Sequence, residues 1–476
     1  MSTDATTATG TGGELPRSAP SALGVDARGV AAFLDAVEAA DGVELHSLAV
    51  LRSGAVVAEG WWEPYAPDRL HLLYSVSKSF TATALGLAVA EGLVDLDSTV
   101  LSHFPELDAD VTDERSRSIT LRHVAAMASG HRGETIGAAS ADPTGDVVRG
   151  FLRLPPEGEP GTVFAYNQPC TFAIAAVVQR ATGGTLTRYL RPRVLDPLGI
   201  GETAWLTDAH GREVGFSGLH ATTDALAKLG QLHLGRGRWG EEQLLPAEWV
   251  DEVGRSHVDT CAAHPDPDWQ LGYGYQFWPS RHGYRADGAY GQFALVLPEQ
   301  DAVVAITGQT VPTQVLLEAV WEHLVPALSG PPLPPDAAAH DAALAARLRG
   351  LRLDVPPSSG PVREPEPALL TAAPSSAPAT LARVRLERAA AGWSLVLEDG
   401  EDRLAAALGD GWRTTGALAT SWAWTGPRSL RVDVVFVETP HRLVLELDVA
   451  AGTFRGTWRT EPLHAPPLAR MRAPRP

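Results

Sequence analysis

From Asp26 onward, Val30, Ala31, Phe33, Leu34 and Val37 recur at the three- and four-residue spacing of one helical face, and Gly42 closes the pattern. Two largely apolar runs follow, 46–54 and 55–62, joined at Ser53-Gly54, and they predict an antiparallel hairpin. The stretch 75–92, SVSKSFTATALGLAVAEG, is apolar on most sides and rich in alanine, which predicts a buried helix with Ser75 at its N-terminus. Helical patterns separated by loops continue from about 95 to 250, several of them ending in glycine, the usual C-terminal stop. Strand character returns at 272–278 (GYGYQFW) and over 293–308, where Pro298-Glu299-Gln300 divides two β-rich runs, and a helix is expected at 315–328.

Prolines then crowd the chain as far as Pro378, with one short helical stretch between the clusters, and this reads as a linker. After about residue 379, apolar and polar residues alternate between Gly, Asp and Pro turns, the pattern of a small all-β module. Strands at both ends of the main body, with helices between, are most simply buried by one antiparallel sheet that joins the two ends. The expectation is therefore an α+β protein. It divides into a disordered leader (1–22), a main domain (23–328), a Pro/Ala-rich linker (329–378) and a small β domain (379–476).

Composition narrows the function. Lys+Arg 39 against Asp+Glu 57 leaves a net charge of −18, a field that repels nucleic acid phosphates and anionic membranes, so neither is an expected partner. No apolar stretch reaches the roughly 18 to 20 residues of a bilayer span, and the N-terminus has no basic start with an apolar run. Cytoplasmic residence is the expectation. Cys170 and Cys261 are too few for a disulfide scaffold, and whether they pair stays open. Lysine is almost absent: Lys78 and Lys228 are the only two, so chemistry that needs an amine has two candidates.

Ser75-Val76-Ser77-Lys78 puts a hydroxyl and an amine on one helical face. A serine hydroxyl needs a base to take its proton, and a lysine desolvated in an apolar helix has its ammonium pKa lowered toward that task. Free backbone N–H groups at a helix start also stabilise a developing oxyanion. A snorkelling lysine has the same spacing. Tyr166, in Phe164-Ala165-Tyr166-Asn167-Gln168 before a helical pattern, is placed to share a proton with Lys78; a packing tyrosine fits as well. Asp287-Gly288-Ala289 lies at the head of a strand, where glycine permits a ligand to approach closely, and a plain turn fits equally. Trp61, Trp62, Trp269, Tyr273, Tyr275 and Trp278 read either as an apolar acyl pocket or as core. His71 is near Ser75 in sequence, but a histidine at a strand end usually has a structural partner.

The order of these motifs, Ser-x-x-Lys with an apolar helix, then PGT-x-F-x-Y-N, then a Gly-rich strand head before VVAIT, resembles the serine β-lactamase and penicillin-binding-protein superfamily. Within it the chain is most similar to class C-like serine hydrolases and esterases, over roughly residues 22–328. The resemblance implies a β-lactamase/transpeptidase-like antiparallel sheet flanked by helices with a helical subdomain. It also implies Ser75 as nucleophile, Lys78 and Tyr166 as general base and acid, an oxyanion hole from the N–H groups of Ser75 and Ala289, and no metal or organic cofactor. Asn167, Gln168, Asp287 and Gly288 are the implied substrate-binding positions.

Two departures bear on substrate. The superfamily's Tyr-x-Asn is here Tyr166-Asn167-Gln168, so the contacting amide is either one methylene longer or one residue earlier. The third motif, usually Lys or His, then Thr or Ser, then Gly, is here Ala286-Asp287-Gly288, without the cation that would bind a β-lactam carboxylate. The expected activity is a serine hydrolase cleaving small-molecule esters or amides, uncharged or amine-bearing. The alternatives are a catalytically silent binding protein of the same fold, or a β-lactamase or D-aminopeptidase type of peptidase. The C-terminal module is open to three roles: capping the cleft, self-association into a homo-oligomer, or stabilising the main domain.

Overall fold

The computed structural model describes residues 13–359, 363–390 and 392–475. Its first unit opens with α1 (Ala27–Ala39), β1 (Leu45–Arg52) and β2 (Ala55–Trp61). The Asp26 carboxylate accepts the Arg28 N–H and so caps α1, while Ser53 (φ 49°) and Gly54 (φ 76°) turn the hairpin. Then come α2 (Ser77–Ala90), α3 (Gln168–Thr182), α4 (Thr223–Leu234) and four strands: β3 (Trp278–Ser280), β4 (Gly283–Gly288), β5 (Gln292–Leu297) and β6 (Ala302–Gly308). A helical segment follows over 313–328.

The sheet runs β2-β1-β6-β5-β4-β3, antiparallel throughout, with Val50 opposite Val304 and Leu295 opposite Val304 on the other side. The two ends of the main body thus meet at β1 and β6, as the pattern predicts. Every residue of β5 and β6 is buried, so helices cover both faces. On one of them α4 comes so close at Gly230 that a Cβ there would sit 2.5 Å from Val303 Cγ1. Helix α2 is buried from Ser77 to Ala88. Its hydroxyls find backbone acceptors, Ser79 on Gln276 at 2.9 Å and Thr81 on Gly215 at 2.9 Å.

Residues 272–278 depart from the expected strand. Gly272 (φ 88°) and Gln276 (φ 61°) are left-handed, which breaks the extended path, and only an isolated bridge from Tyr273 to Val258 precedes β3. The free edge of β2 accounts for two further differences. Of the leader, residues 1–12 lie outside the described residues, whereas Pro16 and Ser18 hydrogen-bond Val56 and Leu15 is buried. Within the Pro-rich segment, helix α5 (Ala337–Arg349) packs on β2, with Leu348 Cδ2 3.1 Å from where a Cβ of Gly60 would stand.

The C-terminal unit is a nine-stranded sheet that takes in Ala368–Ala372 as well as the residues after 379. Neighbours along the chain pair antiparallel except Asp402–Leu408 and Arg413–Thr415, the two ends of the sheet, and Ala368–Ala372 pairs parallel with the last strand, Thr453–Trp458. Trp422 N–H donates to Gly409 O across the remaining gap, so the sheet is nearly closed around a core of its own. It docks on the main sheet through the buried Glu44, which accepts from the buried Arg442 at 3.0 Å and from the exposed Arg459 at 2.9 Å. Both cysteines are free, Cys170 buried and Cys261 exposed. Among the described residues no helix is long and apolar enough to cross a membrane.

Candidate active site

Ser75 sits in one 3-10 turn (Tyr74–Val76) that leads directly into α2. The turn is held tightly. Leu73 N–H donates to Leu219 O, Val76 N–H to Leu73 O, and Ser77 Oγ to Tyr74 O at 2.6 Å. Tyr74 has φ 47°, a left-handed conformation that costs a non-glycine residue on the order of 1–3 kcal/mol and persists where its surroundings over-determine it. One turn into the helix, Lys78 is 1% exposed, and its Nζ donates to Ser75 Oγ at 2.9 Å and to Phe216 O at 2.8 Å. Burial pushes this ammonium down to about 7, with the Glu134 and Asp287 carboxylates pulling the other way.

The Tyr166 ring stands over the lysine, Nζ 4.7 Å from its centroid, with its hydroxyl within reach of Ser75. Burial moves this phenol well above its ordinary value. Burial thus shifts the amine down and the phenol up beside one hydroxyl. Trp278 stacks on Tyr166 at 5.8 Å and 22°, and Tyr273 meets it edge-on at 6.0 Å.

Strand β4 passes so close to the turn that a Cβ on Gly288 would lie 2.4 Å from Leu73 O and 3.3 Å from Ser75 N. Only glycine fits there. Ala289 opens the β4–β5 turn, its carbonyl fixed by Gln292 Nε2 at 3.0 Å. Asp287 is paired with Arg285 two residues earlier on the same face, Nε to Oδ2 2.9 Å. Arg285 is fully buried over the Trp269 ring at 4.4 Å and also donates to Ser280 Oγ at 2.7 Å. The acidic residue of the third motif therefore presents no unpaired charge to the cleft.

A cleft of about 580 Å³ opens at Ser75. Tyr166, Gln168, Asp287, Gly288 and Ala289 line it, and so do Trp269 and Trp278. Asn167 is not brought to it: the residue is fully buried, with Oδ1 accepting from Thr135 N at 2.8 Å and Oγ1 at 2.9 Å. Of the two adjacent amides, Gln168 is thus the one that faces the cleft. Tyr273 lies buried behind it, Tyr275 stacks on His257 at 3.8 Å, and Trp61 and Trp62 are not in its lining. His71 is paired with His46 at 3.1 Å, the structural partner expected of it. Lys228, the other lysine, is tied to Asp224 at 2.6 Å. A larger groove, about 770 Å³ between β2 and α5, is lined by Trp61 but by none of the predicted catalytic or oxyanion residues.

Several contributors were not foreseen. Arg132 and His264 line the cleft from loops, and Glu134 lies within electrostatic reach of Lys78 while its carboxylate accepts the Gln168 N–H. Another, Leu463, comes from the C-terminal unit. Arg285 had a signal in Arg-x-Asp alternation along a strand; the others had none. Among the described residues no group of three His, Cys, Asp or Glu side chains is placed to hold a metal ion.

A serine beside a buried lysine and a tyrosine, at the meeting of an antiparallel sheet and a helical region, defines a serine hydrolase. A family model described as Beta-lactamase matches residues 30–329, and the chain belongs to that family. It is 27% identical over 277 residues to a 6-aminohexanoate-dimer hydrolase of Paenarthrobacter ureafaciens, covering 54% of this chain and 70% of that one. It is 31% identical over 160 residues to a lovastatin esterase of Penicillium rubens, 29% of this chain and 40% of that one. Among solved structures, the fold is shared with EstCE1, a hydrolase with promiscuous acyltransferase activity, at a TM-score of 0.52 and 17% identity over 62% of this chain and 99% of the other. The chain is an enzyme.

Proposed function

We propose that the enzyme cleaves small-molecule esters or amides through an acyl-enzyme on Ser75. The observation that carries this is the 2.9 Å approach of Lys78 Nζ to Ser75 Oγ inside a pocket whose desolvation brings the amine to about 7. The neutral amine accepts the Ser75 proton as Oγ adds to the substrate carbonyl. The oxygen's growing charge is met by the N–H groups of Ser75 and Ala289, between which Gly288 passes without a side chain. Tyr166 stays protonated at neutral pH and gives its proton to the leaving alkoxide or amine, recovering one from Lys78. In deacylation the same two groups, acting in reverse, draw a proton from water and return one to Ser75 Oγ.

The substrate is neutral or amine-bearing at the third-motif position. Arg285 is buried and committed to Asp287, so no cation of that strand is offered to a substrate carboxylate. Losing a charge-assisted hydrogen bond of about 1.5–3 kcal/mol corresponds to roughly 10- to 100-fold in rate for substrates that need it. Turnover of 4-nitrophenyl esters and anilides by the wild type, with its loss in Ser75→Ala, tests the reading. Nitrocefin hydrolysed as fast as the best ester would overturn the substrate part of it.

A further inference from the structure

The last barrel strand ends at Trp458, and the chain that follows crosses to the catalytic cleft, where Leu463 joins the lining. Its first three residues are pinned to the main domain. Arg459 pairs with Glu44, Thr460 Oγ1 accepts from Gln309 at 2.5 Å, and Glu461 O accepts from Tyr290 Oη at 2.5 Å. Tyr74 Oη meets His441 Nε2, whose Nδ1 contacts Thr460 O at 3.0 Å, and His464 lies within electrostatic reach of Lys78 and Glu134. The two anchoring tyrosines are not arbitrary: Tyr74 precedes Ser75, and Tyr290 follows Ala289. Prolines at 462, 466 and 467 limit the backbone freedom of the crossing, so its shape is set before any ligand arrives.

At the centre of this segment Leu463 is 55% exposed, and Val311, in the same cleft lining, is 66% exposed. They are the two most exposed large apolar side chains among the described residues, and both line the Ser75 cleft. Two such side chains facing one cavity form a surface that gains by covering an apolar group.

We propose that Leu463, carried in by the C-terminal domain, is a substrate-binding residue that with Val311 receives the hydrocarbon part of the acyl group, making this enzyme selective for medium-chain over acetyl esters. This rests on Ser75 being the acylated residue. The C-terminal domain is then part of the active site, and acyl-length preference is written in a segment nearly four hundred residues from the nucleophile in sequence. Burial of each added methylene is worth about fourfold in kcat/KM until the shelf is covered.

The test compares 4-nitrophenyl acetate, butyrate, hexanoate and octanoate in the wild type, Leu463→Ala and Leu463→Asp. Leu369→Asp, another exposed leucine, on the barrel and outside the cleft lining, serves as control. The wild type favours octanoate over acetate. That ratio falls at least tenfold in Leu463→Asp, chiefly through KM, falls less in Leu463→Ala, and is retained in the control. An unchanged ratio in both Leu463 variants, with ester turnover intact, overturns this proposal and leaves the serine mechanism standing. No turnover of any ester by folded wild-type protein overturns both.

Discussion

Tyr74 Oη lies 2.5 Å from His441 Nε2, a buried hydrogen bond that ties the residue before the nucleophile to the C-terminal barrel. His441 is itself oriented by its Nδ1, which contacts Thr460 O at 3.0 Å, and burial holds its imidazole down to about 4, so it is neutral at working pH. The left-handed turn at Tyr74 is thus braced from a second domain, 367 residues away in sequence.

Tyr74→Phe keeps the ring but leaves the buried His441 nitrogen without its partner, which costs about 1–3 kcal/mol. The expected outcome is a lower urea midpoint together with a kcat loss larger than the small change in fold would explain, because the brace on the Ser75 turn is gone. Wild-type stability and turnover in this variant would show that the brace is not needed.

The pH dependence follows from Lys78. Its amine must be neutral to accept the serine proton, and its pKa is lowered by burial to about 7, so kcat/KM rises with pH through about 7 and then levels off. With that midpoint, activity at pH 6 is about tenfold below the plateau. The phenol of Tyr166, moved upward by burial, adds no falling limb near neutrality. Since Glu134 raises the lysine's pKa, Glu134→Gln moves the rising limb to lower pH. A profile that stays put in this variant, measured with a neutral ester, would contradict the assignment of that limb to Lys78.

Tyr166→Phe removes the proton donor while keeping the stack on Trp278. General acid–base catalysis of this kind contributes about 10²–10⁴-fold, and kcat should fall by that order with the melting temperature nearly unchanged. Rapid-quench kinetics on esters and anilides separate the steps: the anilide, with its poorer leaving group, should suffer more.

At Gly288 a single methyl group is the test. Gly288→Ala places Cβ 2.4 Å from Leu73 O and 3.3 Å from Ser75 N, so β4 must move away from the turn. Displacing one oxyanion donor costs about 10²–10³ in kcat, whereas KM for a small ester should change little. Equal turnover by this variant would place the oxyanion elsewhere.

How much of this was written locally in the chain differs from element to element. The β1–β2 hairpin, α2 and the β5–β6 pair were legible because their periodicity and turn residues act within a few positions. The stretch 272–278 was not, since its aromatic alternation is that of a strand while left-handed Gly272 and Gln276 are imposed by packing. Leu15 and α5 look unremarkable in sequence; their burial exists only because β2 has an open edge to cover. In the site, Ser75, Lys78 and Gly288 carry spacing signals, and Arg285 with Asp287 an i, i+2 one. Glu134, His441 and Leu463 arrive through long-range contacts that no local pattern encodes.

The most direct test of the central claim is intact-mass and peptide-map analysis after treatment with a fluorophosphonate probe, with Ser75→Ala and Lys78→Ala in parallel. The account predicts one adduct on Ser75 in the wild type, none in Ser75→Ala, and labelling slowed at least ~10²-fold in Lys78→Ala. An adduct on another serine, or none on protein shown to be folded, would contradict it.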